Sequence, residues 1–412
     1  MDFEDTPEEA GFRAGVRAFL DGNASRAAAG IGMVYRAGNE DPKFRNRAKA
    51  WQAKKADAGY AGITWPKEWG GQGGTAIQQV IFDQEEAKYD VPRGLFDIGL
   101  GMCIPTICTW GTQEHRDRFA RPALRGEEIW CQLFSEPAAG SDLAGLRTRA
   151  ERDGDHWIIN GQKIWTSGAH YCDWGVLVTR SDFSAPKHKG LTYFFVDMKS
   201  PGIEIRPIKQ ISGASHFNEV FFSDVRIPDS QRLGAPGEGW KVSLTTLMNE
   251  RYTIGGRVVV GVEGIFELAR KIELDDGRPA LKNETVRDKL ADWYVSTQGL
   301  KYSHFRTMTA LSRGETPGPE SSIGKLVNAS KLQNIAAFAM DLMEQGGVLT
   351  EPELVPVAAA FQQTLLTSPS SRIAGGSDEI MRNIIAERVL GLPPDVRVDK
   401  ELPFNQLPVG KR

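Results

Sequence analysis

The spacing of the apolar residues changes twice along this 412-residue chain, and the change limits the folds that the chain can adopt. At first, apolar residues such as Val16 and Leu20 recur at helical spacing, which predicts amphipathic helices. The middle of the chain then alternates with the two-residue period of antiparallel strands, and the helical period returns afterwards. The sequence therefore predicts an α+β fold made of an N-terminal α-helical domain (1–125), a middle antiparallel β-domain (126–236) and a C-terminal helical bundle (237–412).

The composition indicates a globular protein and excludes several function classes. The 50 basic and 53 acidic residues nearly cancel and form no basic stripe, so nothing predicts nucleic-acid binding. The sequence has no apolar run long enough to span a bilayer and no secretory signal at its N-terminus, which predicts a cytoplasmic protein. The cysteines (Cys103, Cys108, Cys131 and Cys172) lack metal or redox spacing, and the histidines form no HxxxH pair. We therefore expect reduced thiols and no metal site.

Two motifs in the middle segment predict a site for a flat cofactor. One reads Phe-Ser-Glu-Pro-Ala-Ala-Gly-Ser-Asp at 134–142, and the other reads Lys-Ile-Trp-Thr-Ser-Gly at 163–168. Both lie beside runs of β-type residues, so Ser135, Trp165 and Ser167 can converge where two strands turn. A flavin ring needs an aromatic wall and a few hydrogen-bond donors. Together the motifs predict a flavin cradle, whereas either alone would fit a buried tryptophan and strand-end serines.

Two shorter matches carry no function. The loop at 71–76 fits the GxGxxA dinucleotide fingerprint, but no strand precedes it and no βαβ unit surrounds it. The SxxK match at 322–325 is short and has no partner motif. A flavin site in this chain must therefore be built without a Rossmann unit.

The order of these segments and motifs resembles the acyl-CoA dehydrogenase family over nearly the whole chain. The resemblance is carried by Gly-Ile-Thr-Trp-Pro-Lys-Glu-Trp-Gly-Gly at 62–71, by the two motifs above and by Gly-Gly-Ser-Asp-Glu-Ile-Met-Arg-Asn at 375–383. It implies an FAD enzyme that desaturates an acyl-CoA thioester between Cα and Cβ. It also implies an electron-transfer flavoprotein as the acceptor and a homotetramer, although some members work as heterotetramers of unlike pairs.

The resemblance implies roles for particular residues. Those on the flavin are Gln132, Phe134, Ser135, Trp165, Thr166, Ser167, Ser377, Glu379 and the Gly346-Gly347 pair, interpreted as a turn that ends a helix. Those on the substrate side are Ser141, Arg251 and Gly376. The chain departs from the family at Met343, where the family usually carries glutamine. It also lacks the family's Arg-x-x-Phe-Gly segment, for which Arg278 is the nearest replacement.

The catalytic base is the decisive position. Most members carry a glutamate where this chain has Gly375, and glycine cannot accept a proton. A subset carries the base within Leu-x-x-Glu-Arg, and this chain reads Leu-Met-Asn-Glu-Arg at 247–251. We therefore expect Glu250 to remove the α-proton while the β-hydride passes to flavin N5, and the Gly375 amide to bind the thioester carbonyl. The alternative is that Glu250 is a helix charge, either paired with Arg251 or solvated.

The missing side chain at Gly375 and the Gly255-Gly256 pair predict a pocket for a branched, cyclic or otherwise bulky acyl group. Helix packing through the glycines explains the same residues equally well. Two other functions stay open, namely a desulfinase-like elimination on an acyl-CoA and a partner subunit of a heteromeric dehydrogenase, although Glu250 argues against the second. A nitroalkane-oxidase-like enzyme would need an aspartate at 375.

Overall fold

The computed structural model describes residues 5–27, 39–255, 262–312, 318–394, 396 and 399–407, with the backbone alone at 250–255, 308, 311, 312, 321 and 358. The helices are α1 (Pro7–Asn23), α2 (Pro42–Asp57), α3 (Ala76–Glu86), α4 (Ile104–Trp110), α5 (Gln113–Leu124), α6 (Gly239–Gly255), α7 (Glu263–Lys271), α8 (Glu284–Ser312), α9 (Ser321–Met343), α10 (Ala360–Ser371) and α11 (Asp378–Ile384). The strands are β1 (Trp130–Leu133), β2 (Arg149–Asp153), β3 (His156–Ser167), β4 (Trp174–Arg180), β5 (Leu191–Asp197), β6 (Ile203–Ile208), β7 (Phe217–Pro228) and β8 (Arg232–Leu233). The predicted order of helices, sheet and helices is confirmed.

Three of the N-terminal helices, α1, α3 and α5, begin beside a threonine whose side chain caps them. Thr6 accepts a hydrogen bond from the Glu9 amide at 3.2 Å, and the Glu9 carboxylate accepts one from the Thr6 amide at 2.7 Å. This capping box satisfies amides that the first turn of α1 would otherwise leave unpaired. Val16 and Leu20, which the helical spacing placed on one face of α1, are fully buried.

The strands form one sheet in the order β6-β7-β3-β2-β4-β5-β8, with β1 paired to β4. Most neighbours are antiparallel, as predicted, but β1 runs parallel to β4, with Trp130 opposite Trp174. The predicted antiparallel β-domain is thus confirmed for most strand pairs, and the β1-β4 and β2-β4 pairs are its parallel exceptions. The β2-β3 hairpin lies between β1 and β4 in the chain, so β4 enters the sheet in the same direction as β1 instead of folding back on it.

Strands β4 and β5 are buried on both faces. Val176, Tyr193 and Phe195 pack into one apolar cluster with residues of α4 and α5, whereas Leu177 and Phe194 pack into a second cluster with β3 and β7. Since successive side chains on a strand point to opposite faces, a strand covered on both sides reads as a continuous apolar run. These two clusters fix the strand ends that carry the sequence motifs.

The chain forms two compact units that do not follow chain order. One comprises Met1–Tyr35, Thr75–Val91 and Gly255–Pro394, and the other comprises Arg36–Gly74, Pro92–Ile254 and Asp395–Arg412. In the first unit, which we call the helical unit, α1 packs on α3 through the buried Glu85 carboxylate, which pairs with Arg13, Arg17 and Lys88. The second, which we call the sheet unit, holds the sheet, α2, α4, α5 and most of α6. The domain boundaries predicted from the sequence, at 125/126 and 236/237, stay a prediction.

Candidate functional site

Trp165 presents a flat aromatic surface at the end of β3. Its indole is 57% exposed, an unusual exposure for a tryptophan, and its ring meets the Phe217 ring edge-on at 6.1 Å. The pairing of β3 with β7 shifts register between Lys163 and Thr166, and Trp165 itself has φ of 60°. A bulge with a left-handed residue turns a side chain away from the alternation of its strand. The fold therefore holds this indole towards solvent at a fixed place.

The two motifs meet through backbone and side-chain hydrogen bonds. The Ile164 amide donates to the Ser135 carbonyl at 2.9 Å. The Lys163 ammonium donates to the Phe134 carbonyl at 3.0 Å and to Glu136 Oε1 at 2.8 Å. The structure thus brings together the segments that the sequence predicted would converge, with Ser135 and Ser167 half-buried.

Glu136 and Lys163 form a buried ion pair that the motifs alone did not reveal. Two amides also donate to the Glu136 carboxylate, those of Arg147 at 2.7 Å and Thr148 at 2.9 Å. Burial by itself would raise the pKa of Glu136, but the Lys163 charge and these hydrogen bonds outweigh burial and lower it. The pair therefore locks the first motif to β3. A lysine within a β-type segment was the only signal of this pair in the sequence.

Two of the predicted flavin residues have buried side chains, and a third is half-buried. The Phe134 ring is buried against Tyr193 with ring centroids 5.9 Å apart, so only its main chain faces the motif. The Thr166 side chain is also buried, and its carbonyl accepts from the Asn218 amide at 2.9 Å. Gln132 is half-buried in β1, where it is paired with Val176 of β4.

Ser141 lies exposed on a loop that the C-terminal segment holds in place. The next residue, Asp142, accepts from the Lys187 ammonium at 3.0 Å, and the same ammonium binds Asp399. Phe404 of that segment lies over the buried Arg180 guanidinium, 3.5 Å from the ring centroid. We call residues 399–407 the C-terminal strap. Nothing in the sequence indicated these long-range contacts.

In the helical unit, the C-terminal motif forms a turn between α10 and α11. Gly375 and Gly376 have φ of 66° and 94°, which glycine adopts without strain. Ser377 caps α11, since its side chain accepts from the Ile380 amide. Glu379 is exposed, and its pKa is lowered by hydrogen bonds from its own backbone amide and Ser377. The Lys325 ammonium of α9 donates to the Gly376 carbonyl.

The Gly346-Gly347 pair does not cap a helix as the sequence suggested. Helix α9 ends at Met343, and both glycines lie in the following 3₁₀ turn, Glu344–Val348. Neither glycine has a positive φ, while Glu344 does. A Cβ at Gly347 would lie 3.1 Å from the Met340 carbonyl oxygen, so close packing explains that glycine.

The remaining predicted residues lie elsewhere or outside the described side chains. Arg278 is exposed and pairs with Asp276 of its own turn at 2.6 Å, so its guanidinium is already engaged. Glu250 and Arg251 lie in the C-terminal half of α6, and their side chains lie outside the described residues. No group of metal-binding side chains occurs in the described part of the chain. The described helices also include none with the length and apolar character needed to cross a membrane.

Comparisons with known proteins agree with this arrangement. Models of the N-terminal, middle and C-terminal domains of acyl-CoA dehydrogenases match residues 6–127, 131–225 and 237–390. The acyl-CoA dehydrogenase IpdE1 of Mycobacterium tuberculosis is 38% identical over 389 residues, which cover 94% of this chain and 98% of the relative. The acyl-CoA dehydrogenase FadE34 of the same organism is 40% identical over 344 residues, which cover 83% of this chain and 46% of FadE34.

A solved structure described as "Tcur3481-Tcur3483 steroid ACAD" matches with a TM-score of 0.80 and 28% identity, covering 96% of this chain and 100% of that chain. The ChsE4-ChsE5 complex of Mycobacterium tuberculosis matches with a TM-score of 0.76 and 27% identity, covering 96% and 100%. The resemblance seen in the sequence motifs is thus confirmed. This chain is an enzyme of the acyl-CoA dehydrogenase family, whose members are FAD-dependent flavoproteins of lipid metabolism.

Proposed function

We propose that this enzyme binds FAD and introduces an α,β double bond into a CoA thioester with a bulky acyl group. The exposed indole of Trp165 carries the proposal. A large aromatic surface held towards solvent on a bulge, in the same pair of motifs as half-buried Ser135 and Ser167, fits the face and edge of a flavin ring. The buried Lys163–Glu136 pair fixes both motifs before any ligand binds, so the site is preorganised.

FAD, when bound, supplies the acceptor for the β-hydride. Glu250 takes the α-proton, since it stands in the Leu-x-x-Glu-Arg pattern and Gly375 has no side chain to act as a base. The Gly375 amide donates to the thioester carbonyl oxygen, where negative charge develops as the α-proton leaves. Apolar surroundings raise the pKa of a carboxylate, so exclusion of water by the acyl group strengthens Glu250 as a base.

The bulky acyl group is supported by the glycine at 375 and by the name of one structural relative. A glutamate side chain at this position would lie beside the thioester, and glycine leaves that volume to the substrate. The relative is described as a steroid ACAD, which indicates a ring-bearing substrate for that protein. We propose that the substrate of this enzyme also carries a branched or cyclic acyl group, and we expect such thioesters to be oxidised faster than straight-chain ones.

An electron-transfer flavoprotein in the cytoplasm is our proposed acceptor. The assembly we propose is a homotetramer. A second candidate, a subunit of a heteromeric dehydrogenase, is favoured by the ChsE4-ChsE5 complex among the structural matches. The two assemblies differ in whether flavin and activity require a second protein, so both can be tested with the purified chain.

The experiment is anaerobic reduction of the purified protein by a panel of acyl-CoA thioesters, followed as bleaching of the flavin band. We expect bulky thioesters to bleach the band, and Glu250→Gln to slow bleaching by about 10²–10⁴-fold. The matched control is Glu238→Gln, which removes a half-buried carboxylate paired with Lys241 just before α6 and should bleach at the wild-type rate. Bleaching by Glu250→Gln at a comparable rate would remove Glu250 from the mechanism. Flavin binding and bleaching only after a second protein is added would favour the heteromeric subunit.

A further inference from the structure

The turn that carries Gly375 is tied to helix α9 by two side chains. The Lys325 ammonium donates to the Gly376 carbonyl, and Arg372 donates to Gln333 of α9 at 3.1 Å. Arg372 also closes the turn on itself, because its Nε donates to Asp378 Oδ2 at 2.7 Å and its carbonyl accepts from the Asp378 amide at 3.1 Å. The Lys325 contact is the one that reaches the two glycines at the centre of the turn.

The two glycines need such a contact because they have the greatest backbone freedom. Gly375 and Gly376 both adopt left-handed φ values, and a glycine loses more conformational entropy on ordering than any other residue. Within the described part of the chain, no acceptor receives the Gly375 amide. An amide that must meet a substrate oxygen is therefore presented by the least rigid part of the turn. The Gly376 carbonyl lies two peptide units after the Gly375 amide, so fixing this carbonyl limits how far the turn that carries the amide can rotate.

We propose that Lys325 is a positioning residue that aims the Gly375 amide at the thioester carbonyl. This inference rests on the proposed function and deepens it, since it assigns the geometry of carbonyl binding to a side chain one helix away. The role that we propose for Lys325 involves no direct contact with the substrate or the flavin. It acts by holding the Gly376 carbonyl while Met381 packs on the other side, where a Cβ at Gly376 would collide with Met381 Cε.

A purely structural role for Lys325 would have a different signature. If Lys325 only stabilised the helical unit, its loss would weaken every CoA ligand to the same extent. If it aims the amide, its loss weakens only ligands with a carbonyl oxygen at the thioester position. Displacing a hydrogen-bond donor from its place costs about 10²-fold or more in rate.

The test compares two CoA ligands of equal chain length on the flavin-bound protein by calorimetric titration. One is the α,β-unsaturated thioester that the reaction would form, and the other is the S-alkyl thioether, which lacks the carbonyl oxygen. For Lys325→Met we expect the thioester Kd to rise about tenfold or more and the thioether Kd to change less than about twofold. The flavin reduction rate should fall by about 10²-fold or more. Lys325→Arg, which keeps a cationic donor, should stay within about threefold of the wild type.

The matched control is Lys331→Met on the same helix. The Lys331 side chain is buried, and its ammonium donates to Thr297 of α8 at 2.7 Å instead of to the turn. It should alter stability without changing the ratio of the two Kd values. If Lys325→Met does not fold, Lys325→Gln is measured against the same criterion, because it keeps a donor but loses reach and charge.

Three outcomes overturn the role of Lys325. The first is an equal loss of affinity for both ligands in Lys325→Met, and the second is no loss of affinity for either ligand. The third is a change in the ratio of the two Kd values that Lys331→Met reproduces. If the wild type binds neither ligand and no acyl-CoA bleaches its flavin, the proposed function itself fails and the role of Lys325 fails with it. Wild-type bleaching with an unchanged ratio in Lys325→Met overturns the inference alone.

Discussion

Replacing Lys163 by methionine tests how the candidate flavin site is built. Lys163 is fully buried, and its ammonium donates to the Phe134 carbonyl and to Glu136. Methionine nearly preserves the volume, so the change removes a charge and two hydrogen bonds with little cavity. Breaking a buried ion pair by removing one partner costs about 3–5 kcal/mol. Because the Arg147 and Thr148 amides still hold the carboxylate, we expect the lower end, about 3 kcal/mol.

The assay is thermal unfolding followed by near-ultraviolet circular dichroism, together with the flavin-to-protein ratio. A loss of about 3 kcal/mol lowers the midpoint by about 6–12 °C for a unit of this size. The matched control is Lys199→Met. The Lys199 side chain is 77% exposed and its ammonium lies 3.3 Å from Asp173, so its loss should shift the unfolding midpoint by no more than about 1 °C. A Lys163→Met midpoint within about 2 °C of the wild type would refute the reasoning.

The pH dependence of this effect has a definite sign. The folded-state pKa of Glu136 is lowered, so its ionised form contributes stability above its ordinary pKa of about 4.3, and that contribution is lost as the pH falls through the lowered value. Without Lys163, protonation of Glu136 removes the free-energy cost of leaving its buried charge unpaired. The gap in midpoint between wild type and Lys163→Met should therefore narrow between pH 7 and pH 4. A gap that widens in acid would show that the pair is not ionised.

Three further predictions concern other parts of the molecule. Gly375→Glu in the Glu250→Gln background should not restore acyl-CoA oxidation. A residue with a side chain is strained by about 1 kcal/mol at the φ of 66° found at position 375, so the substitution should displace the turn. Recovery of a tenth of the wild-type rate would contradict this prediction. Trp165→Ala should weaken FAD binding by about tenfold or more in equilibrium dialysis, and unchanged affinity would separate the indole from the flavin. Phe404→Ala should destabilise the sheet unit by about 3 kcal/mol and expose the C-terminal strap to proteases, since the ring covers Arg180; a wild-type digestion pattern would argue against it.

Several features could be predicted from the sequence because they depend on neighbouring residues. The change from helical to two-residue spacing predicted the order of helices, sheet and helices, and Val16 and Leu20 were assigned correctly to a buried face. The two motifs could be placed beside strands, and the structure brings them together through the Ile164 and Ser135 backbone. Periodicity reports which face of an element is apolar, so it identifies elements reliably.

Periodicity does not report which polar groups meet across the fold. The sequence motif indicated no partner for Glu136, and only the tertiary structure pairs it with Lys163, 27 residues away. The contact between Lys187 and Asp399 spans 212 residues, and no local pattern could indicate it. Burial in a low-dielectric interior gives such pairs their strength, and burial is a property of the packed chain.

The sequence by itself determined the family, the fold class and the absence of the usual glutamate at Gly375. The tertiary structure decided the exposure of the Trp165 indole, the left-handed backbone of the C-terminal turn and the anchoring of Gly376 by Lys325. Composition and spacing are local properties that survive in the unfolded chain. Solvent exposure, backbone dihedrals and long-range hydrogen bonds exist only after the elements have packed, because packing selects one geometry from the many that the local sequence permits.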